Sequence, residues 1–374
     1  MLFNEGYSEN SYFRIMQVIC EEIYSNSTTS DKKRKLDFYY DDDLSFNACA
    51  YSNGNVDYMN MNVGTLIEIF SYMKTAFSNP SCFCFWGDVE KEKCKTIRGF
   101  FEPHKRQLIF SGIPIDDDRE HLSIMTSLMA LRFIYGHELG HLYDGHTEYI
   151  RTLYSIPNMQ MIVKKGLANV NAKQAERYAL DRRTLEMDAD AFAASMSIVN
   201  IIMSYLQREN QKFPFIWLKS PVEIFSLWSF SIQSIFLLFE YNAGSKYDKF
   251  SYYLPNEARG ILAFSAALNT LDNYIKHGIF MCNGVIYSEV ERQIANGIAE
   301  ADKIFNATYG TNYNFIEKTI GNKEYGIYAD EVLKHWNENL YSKIKKFARV
   351  PLYHPDTIDE TMMWAKKVNS NEKA

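Results

Sequence analysis

Residues 137–141 read His-Glu-Leu-Gly-His, an HExxH pattern inside a stretch that can hold a helix. Two imidazoles four positions apart differ by about 40° around a helix and about 6 Å along it, so both reach one ion at roughly 2.0–2.1 Å. Glu138 then projects beside that ion. A carboxylate there can take a proton from a water whose pKa zinc lowers to about 7, which is the chemistry of peptide hydrolysis.

A second segment, Glu186-Met187-Asp188-Ala189-Asp190-Ala191-Phe192-Ala193-Ala194, begins 45 positions after His141 in another helical stretch. Catalytic zinc takes three protein ligands and a water, and two His with one Glu is a known set, so Glu186 is the expected third ligand. Asp190 falls one turn beyond Glu186 on the same face. There it can accept the second ring N–H of His137 or His141 and fix that ligand's tautomer. Asp188 lies about 200° around from Glu186 and is expected to point elsewhere. Ala189, Ala193 and Ala194 suggest close helix packing, with Phe192 as an apolar anchor.

HExxH followed by E-x-x-A-D-x-F-A-A resembles the gluzincin metallopeptidases, whose third zinc ligand is the Glu of that later helix. With Gly145-His146 and Leu185 included, the pattern is similar to the phage-exclusion Lit-like peptidases, and also to the ImmA/IrrE-like intracellular peptidases. The resemblance covers residues 130–200, about a fifth of the chain. It implies a zincin-like core, one zinc ion held by His137, His141 and Glu186, and an endopeptidase acting on an intracellular protein or peptide. The Lit-like likeness implies an abortive-infection protease, with a translation elongation factor as the family's type of target. The ImmA/IrrE-like likeness implies cleavage of a repressor.

Gluzincins related to the CAAX-processing group carry His-Pro and then Arg downstream, whereas here residues 253–259 read Tyr-Leu-Pro-Asn-Glu-Ala-Arg. Tyr252, Tyr253 and Arg259 are the candidates for polarising a scissile carbonyl in place of that His. The later His-Pro is His354-Pro355. A metzincin arrangement does not fit, because His146 follows His137 by nine positions and Gly145 stands one place late. On a continuing helix His146 would lie about 180° from His137, as a surface histidine or one that supports a ligand from behind. Glu148 would stand about 10 Å beyond His141 and could not share the ion without a helix break.

These residues need rigid elements to position them. The 374 residues are 47% hydrophobic and 15% aromatic, enough to bury a large core in one elaborate domain or two. The expected class is α+β, mainly α-helical. Residues 1–115 are expected to carry a small sheet, 116–350 the helical peptidase region, and 351–374 an extension whose last six residues are frayed. A helix is expected over 11–24, strands over 46–52 and 56–61 around Asn53-Gly54, a helix over 61–77, and strands over 81–86, 96–99 and 107–111. Asp116-Asp117-Asp118 can cap a helix starting near Arg119 that turns Ile124, Leu128, Leu131 and Tyr135 inward. Further helices are expected over 172–207, 221–242, 257–276, 286–307 and 328–347.

A formal charge of −6 gives no basic footprint for nucleic acid, and Lys32-Lys33-Arg34-Lys35 is answered by Asp37 and Asp41-Asp42-Asp43, so no nucleic-acid partner is expected. The N-terminus lacks the basic and apolar regions of a signal peptide, which points to a cytoplasmic enzyme with its six cysteines reduced. Cys82, Cys84 and Cys94 lack the paired spacing of a zinc knuckle, so they, like the isolated Cys20, Cys49 and Cys282, are expected as buried thiols. Residues 224–239 run sixteen positions without a charge. A membrane span needs about 20 apolar residues and this run carries four serines, so a buried core helix is expected, with peripheral membrane contact as the alternative. The rival reading of the whole chain is non-enzymatic: an inactive scaffold, or a zinc that only braces two helices.

Overall fold

The computed structural model describes residues 34–105, 107–154, 172–209, 221–243, 247–280, 284–315 and 323–352, with positions 18, 24 and 317. The expected helix over 11–24, Cys20, Cys282, His354-Pro355 and the C-terminal tail lie outside these residues or almost wholly so. The fold is α+β and mainly helical, with its sheets in the N-terminal part.

Strands β1 (Lys35–Asp41), β2 (Ala48–Asn53) and β3 (Val56–Asn62) form a three-stranded sheet in the order β1-β3-β2. β2 and β3 pair antiparallel with Asn53 opposite Val56, which leaves Gly54 and Asn55 as a two-residue turn with Gly54 at φ 60°. β1 runs parallel to β3, Phe38 beside Met59. The charge run expected around Lys35 and Asp37 is therefore a strand. Phe38 points to the core while Lys35 and Asp37 face outward. Strands β4 (Gly99–Glu102) and β5 (Gln107–Phe110) make a separate antiparallel pair, so the expected single small sheet is two.

The strand expected over 81–86 is a run of turns. Its cause is Arg119, fully buried near the start of the next long helix. The Arg119 guanidinium donates to the carbonyls of Phe77, Asn79, Cys82 and Trp86 at 2.8–2.9 Å, which turns those carbonyls away from any ladder.

The helices are α1 (Val63–Phe77), α2 (Asp117–Tyr143), α3 (His146–Tyr154), α4 (Ala172–Glu209), α5 (Ile224–Ala243), α6 (Asn256–Lys276), α7 (Gly284–Tyr309), α8 (Lys323–His335) and α9 (Tyr341–Ile344). Asp116 caps α2 by accepting the Arg119 N–H, and Asp117, Asp118 and Glu120 put negative charge at its positive end. Leu131 and Tyr135 of α2 are fully buried, whereas Ile124 and Leu128 are half-buried and Leu122 and Met125 take the inner positions. The single helix expected over 328–347 is α8, a π-helical turn over Trp336–Leu340 and then α9.

α2 packs between α4, α5, α1 and β2. One core runs from Met59 and Phe70 through Leu131 and Trp228 to Ile294 and Phe305, so residues before and after 115 share it. Each large side chain removed from water there contributes about 1.5–3 kcal/mol. α5 lies in this core. It is long and apolar enough to cross a membrane by composition, yet 83% of that window is buried inside the fold. Ser226, Ser229, Ser231 and Ser234 fit there because each hydroxyl donates to a carbonyl of the preceding turn.

A second core gathers Tyr149, Tyr178, Leu185, Leu254, Trp336 and Leu340. Beyond α9, the Arg349 N–H donates to the Tyr143 carbonyl at the end of α2. The Arg349 guanidinium meets the buried carboxylates of Asp57 and Glu148.

Candidate metal centre

α2 and α4 approach closely because small residues meet at their crossing. A Cβ on Gly140 would lie 3.1 Å from the Ala189 Cα, and one on Gly136 would lie 3.1 Å from the Ala193 Cα. This crossing lets the second helix deliver a short side chain to the first. Glu186 reaches the two imidazoles: its Oε2 is 3.2 Å from His137 Nε2 and 3.7 Å from His141 Nε2, and the two Nε2 atoms are 3.1 Å apart. Ligands at 2.0–2.1 Å in a tetrahedron stand about 3.3–3.4 Å from one another. The three donor atoms therefore form one face of such a tetrahedron, and the residues fit zinc.

Electrostatics agrees with the geometry. Burial works against charging His137, but hydrogen bonds and charge from Asp190 and Glu186 outweigh it and lift the ring to about 10. Burial lowers His141 to about 3, against the pull of Glu186. The carboxylates of Asp190 and Glu186 thus favour positive charge at this spot, which a divalent cation would supply. Burial would raise the Glu186 carboxyl, yet the adjoining His141, the Arg182 guanidinium and hydrogen bonds from both imidazoles hold it well below the usual range.

Arg182 has no place in the sequence reading. It stands one turn before Glu186, buried, and donates from Nη2 to Glu186 Oε1 at 2.9 Å, which leaves Oε2 facing the imidazoles. An Arg and a Glu four apart on a helix is the signal that could have found it.

Asp190 takes its expected place behind His137, with Oδ1 2.8 Å from Nδ1. Its carboxylate also accepts two bonds from Arg259, Nε to Oδ2 at 2.8 Å and Nη2 to Oδ1 at 3.0 Å. Arg259 sits in the first turn of α6, over the rings of Phe239 and Tyr253 at 5.1 and 5.2 Å. Arg259 is therefore tied to Asp190. Tyr253 hydrogen bonds with Arg182, and the negative charge of Glu186 raises its hydroxyl to about 12. Tyr252 packs against Tyr178 at 5.6 Å and does not line the cleft.

Glu138 is buried beside the donors and accepts the Ala50 N–H of β2. Burial raises its carboxyl to about 7, with the charge of His137 opposing. A cleft of about 220 Å³ opens over the site, lined by His137, Glu138, Glu186, Tyr253 and Arg259, with Phe46, Phe133 and Phe239 as apolar walls.

His146 departs from the surface alternative. Gly145 adopts φ 81°, ending the helix that would have carried His146 to the far side, and a Cβ there would lie 2.6 Å from Phe347. His146 is fully buried instead, with Nδ1 3.0 Å from His141 Nδ1 and Nε2 3.0 Å from Asp188 Oδ2. Asp188 does face away from Glu186, and its destination is His146. Burial and the neighbouring Asp188 carboxylate raise Asp144 well above its ordinary range. Glu148 pairs with Arg34 and Arg349 and stays away from the imidazoles. Among the described cysteines, none of which forms a disulfide, Cys49 and Cys82 are buried as expected, whereas Cys84 and Cys94 are exposed.

No protein-family model, curated protein or solved structure matches this chain.

Proposed function

We propose that the chain is a zinc-dependent endopeptidase. The observation that carries this reading is the convergence of His137 Nε2, His141 Nε2 and Glu186 Oε2 within 3.7 Å of one another, with His137 and Glu186 lining an open cleft. A zinc ion bound there would supply Lewis acidity, acidifying a water and polarising a peptide carbonyl. Glu138, buried beside the donor atoms, is the general base: its carboxylate can take a proton from the attacking water and return it to the leaving amine. Tyr253, protonated well above neutrality, can donate its O–H to the developing oxyanion. Arg259 holds Asp190, and Asp190 holds His137, which keeps the Nε2 of that ring turned toward Glu186.

A purely structural zinc is the second reading. Structural sites close with four protein ligands, whereas this centre brings three and leaves the cleft side open. Glu138→Gln separates the two. A catalytic centre keeps its zinc and loses cleavage; an unchanged set of cleavage products would sink the peptidase reading. Comparing new protein N-termini in bacteria expressing wild type and Glu138→Gln would also report the substrate. The motif likeness to the Lit-like peptidases makes phage exclusion, through cleavage of a host protein, the first role to test.

A further inference from the structure

We propose that His146, Asp188 and Asp144 form a buried brace that sets the tautomer of His141 and aims its Nε2 at the cation, and that this cluster is not a second metal seat. The inference rests on the metal-centre reading above and deepens it.

By donor count the cluster invites a cation of its own. Asp144, His146 and Asp188 are all buried, with ligand atoms within 4.8 Å of one another. Counting protons decides otherwise. The Nδ1 atoms of His141 and His146 stand 3.0 Å apart, so one N–H lies between them. A neutral imidazole carries one proton. Once His141 gives Nε2 to a cation, its proton sits on Nδ1 and is donated to His146. His146 Nδ1 is then the acceptor, and the proton of that ring must sit on Nε2. That N–H points at Asp188 Oδ2, 3.0 Å away, and Asp144 hydrogen bonds to Asp188 in turn. A second cation on His146 Nε2 would have to strip that proton and leave an imidazolate. The two seats exclude each other, and filling the first satisfies every bond in the second.

The two ligand rings are thus braced from behind by different faces of α4. Asp190 supports His137 directly. Asp188, on the opposite side of the helix, supports His141 through His146, which the Gly145 corner brings between them. His146 and Asp188 are positioning residues, with no contact to the cation.

The test is zinc affinity and stoichiometry of the full chain by chelator competition, with the visible spectrum of the cobalt form. Wild type, His146→Ala, Asp188→Ala and Asp188→Asn are compared. The expected result is one zinc per wild-type chain, with affinity about 10–100-fold weaker and an altered cobalt spectrum in both alanine variants. Asp188→Asn, whose amide oxygen still accepts the His146 N–H, should regain most of that affinity. Two zinc ions in wild type, falling to one in Asp188→Ala, would establish a second seat and overturn the brace. Unchanged affinity and spectrum in both alanine variants would overturn it as well. If His146→Ala does not fold, the two Asp188 variants carry the test. Tight zinc binding without proteolysis would defeat the peptidase reading alone, whereas absence of zinc binding by wild type would defeat both.

Discussion

Gly140 of α2 lies against Ala189 of α4 so closely that a Cβ on the glycine would be 3.1 Å from the alanine Cα. The separation of these two backbones sets how far Glu186 must reach. Gly140→Val should wedge the helices apart, costing about 1–3 kcal/mol of stability by overpacking. It should also lower zinc affinity. Thermal unfolding without metal and a zinc titration together check this; a variant as stable and as tightly binding as wild type would show that the crossing is looser than described.

Arg182 holds one oxygen of Glu186 so that the other faces the imidazoles. Replacing it with Met keeps the bulk but takes from the buried Glu186 Oε1 its charged donor, which should cost about 1–3 kcal/mol. Zinc should partly restore that loss, because the cation supplies the missing positive charge. The expected readout is a larger rise in melting temperature on adding zinc than wild type shows.

The Asp57 carboxylate, fully buried, is held below its ordinary range despite burial, by hydrogen bonds and charge from Arg349 and by hydrogen bonds from Tyr24 and Ser52. A depressed folded pKa stabilises the fold above the unfolded value of about 3.9, and that contribution is lost as pH falls below it. Wild-type melting temperature should therefore drop through this acid window. In Asp57→Asn the drop should be shallower, from a lower starting point; parallel profiles would remove Asp57 from the account.

Cys84 and Cys94 are exposed, whereas burial raises the thiol of Cys49 to about 12 and that of Cys82 further. Brief treatment of the native protein with a maleimide should label the first pair and spare the second, as peptide mass mapping would show. Denaturation should expose all four.

The side-chain cluster that could hold a metal was legible because helical periodicity converts spacing into direction: His137, His141, Glu186 and Asp190 lie where a 3.6-residue turn puts them. His146 was not, since its position depends on the φ of 81° at Gly145 and not on any period. β1 hides its alternation of Leu36, Phe38 and Tyr40 between Lys35, Asp37 and Asp41, so it reads as a charge run. Residues 81–86 are apolar and short enough for a strand, but the buried guanidinium of Arg119 claims their carbonyls from more than thirty positions away. The hairpin at Asn53-Gly54 and the caps of α2 are local chemistry and follow from the letters alone.

The bond from Arg349 to the Tyr143 carbonyl joins the end of α2 to a residue two hundred positions later. A chain still on the ribosome cannot close this corner until residue 349 has emerged. The helix bearing His137 and His141 is thus tethered at its far end only late in synthesis.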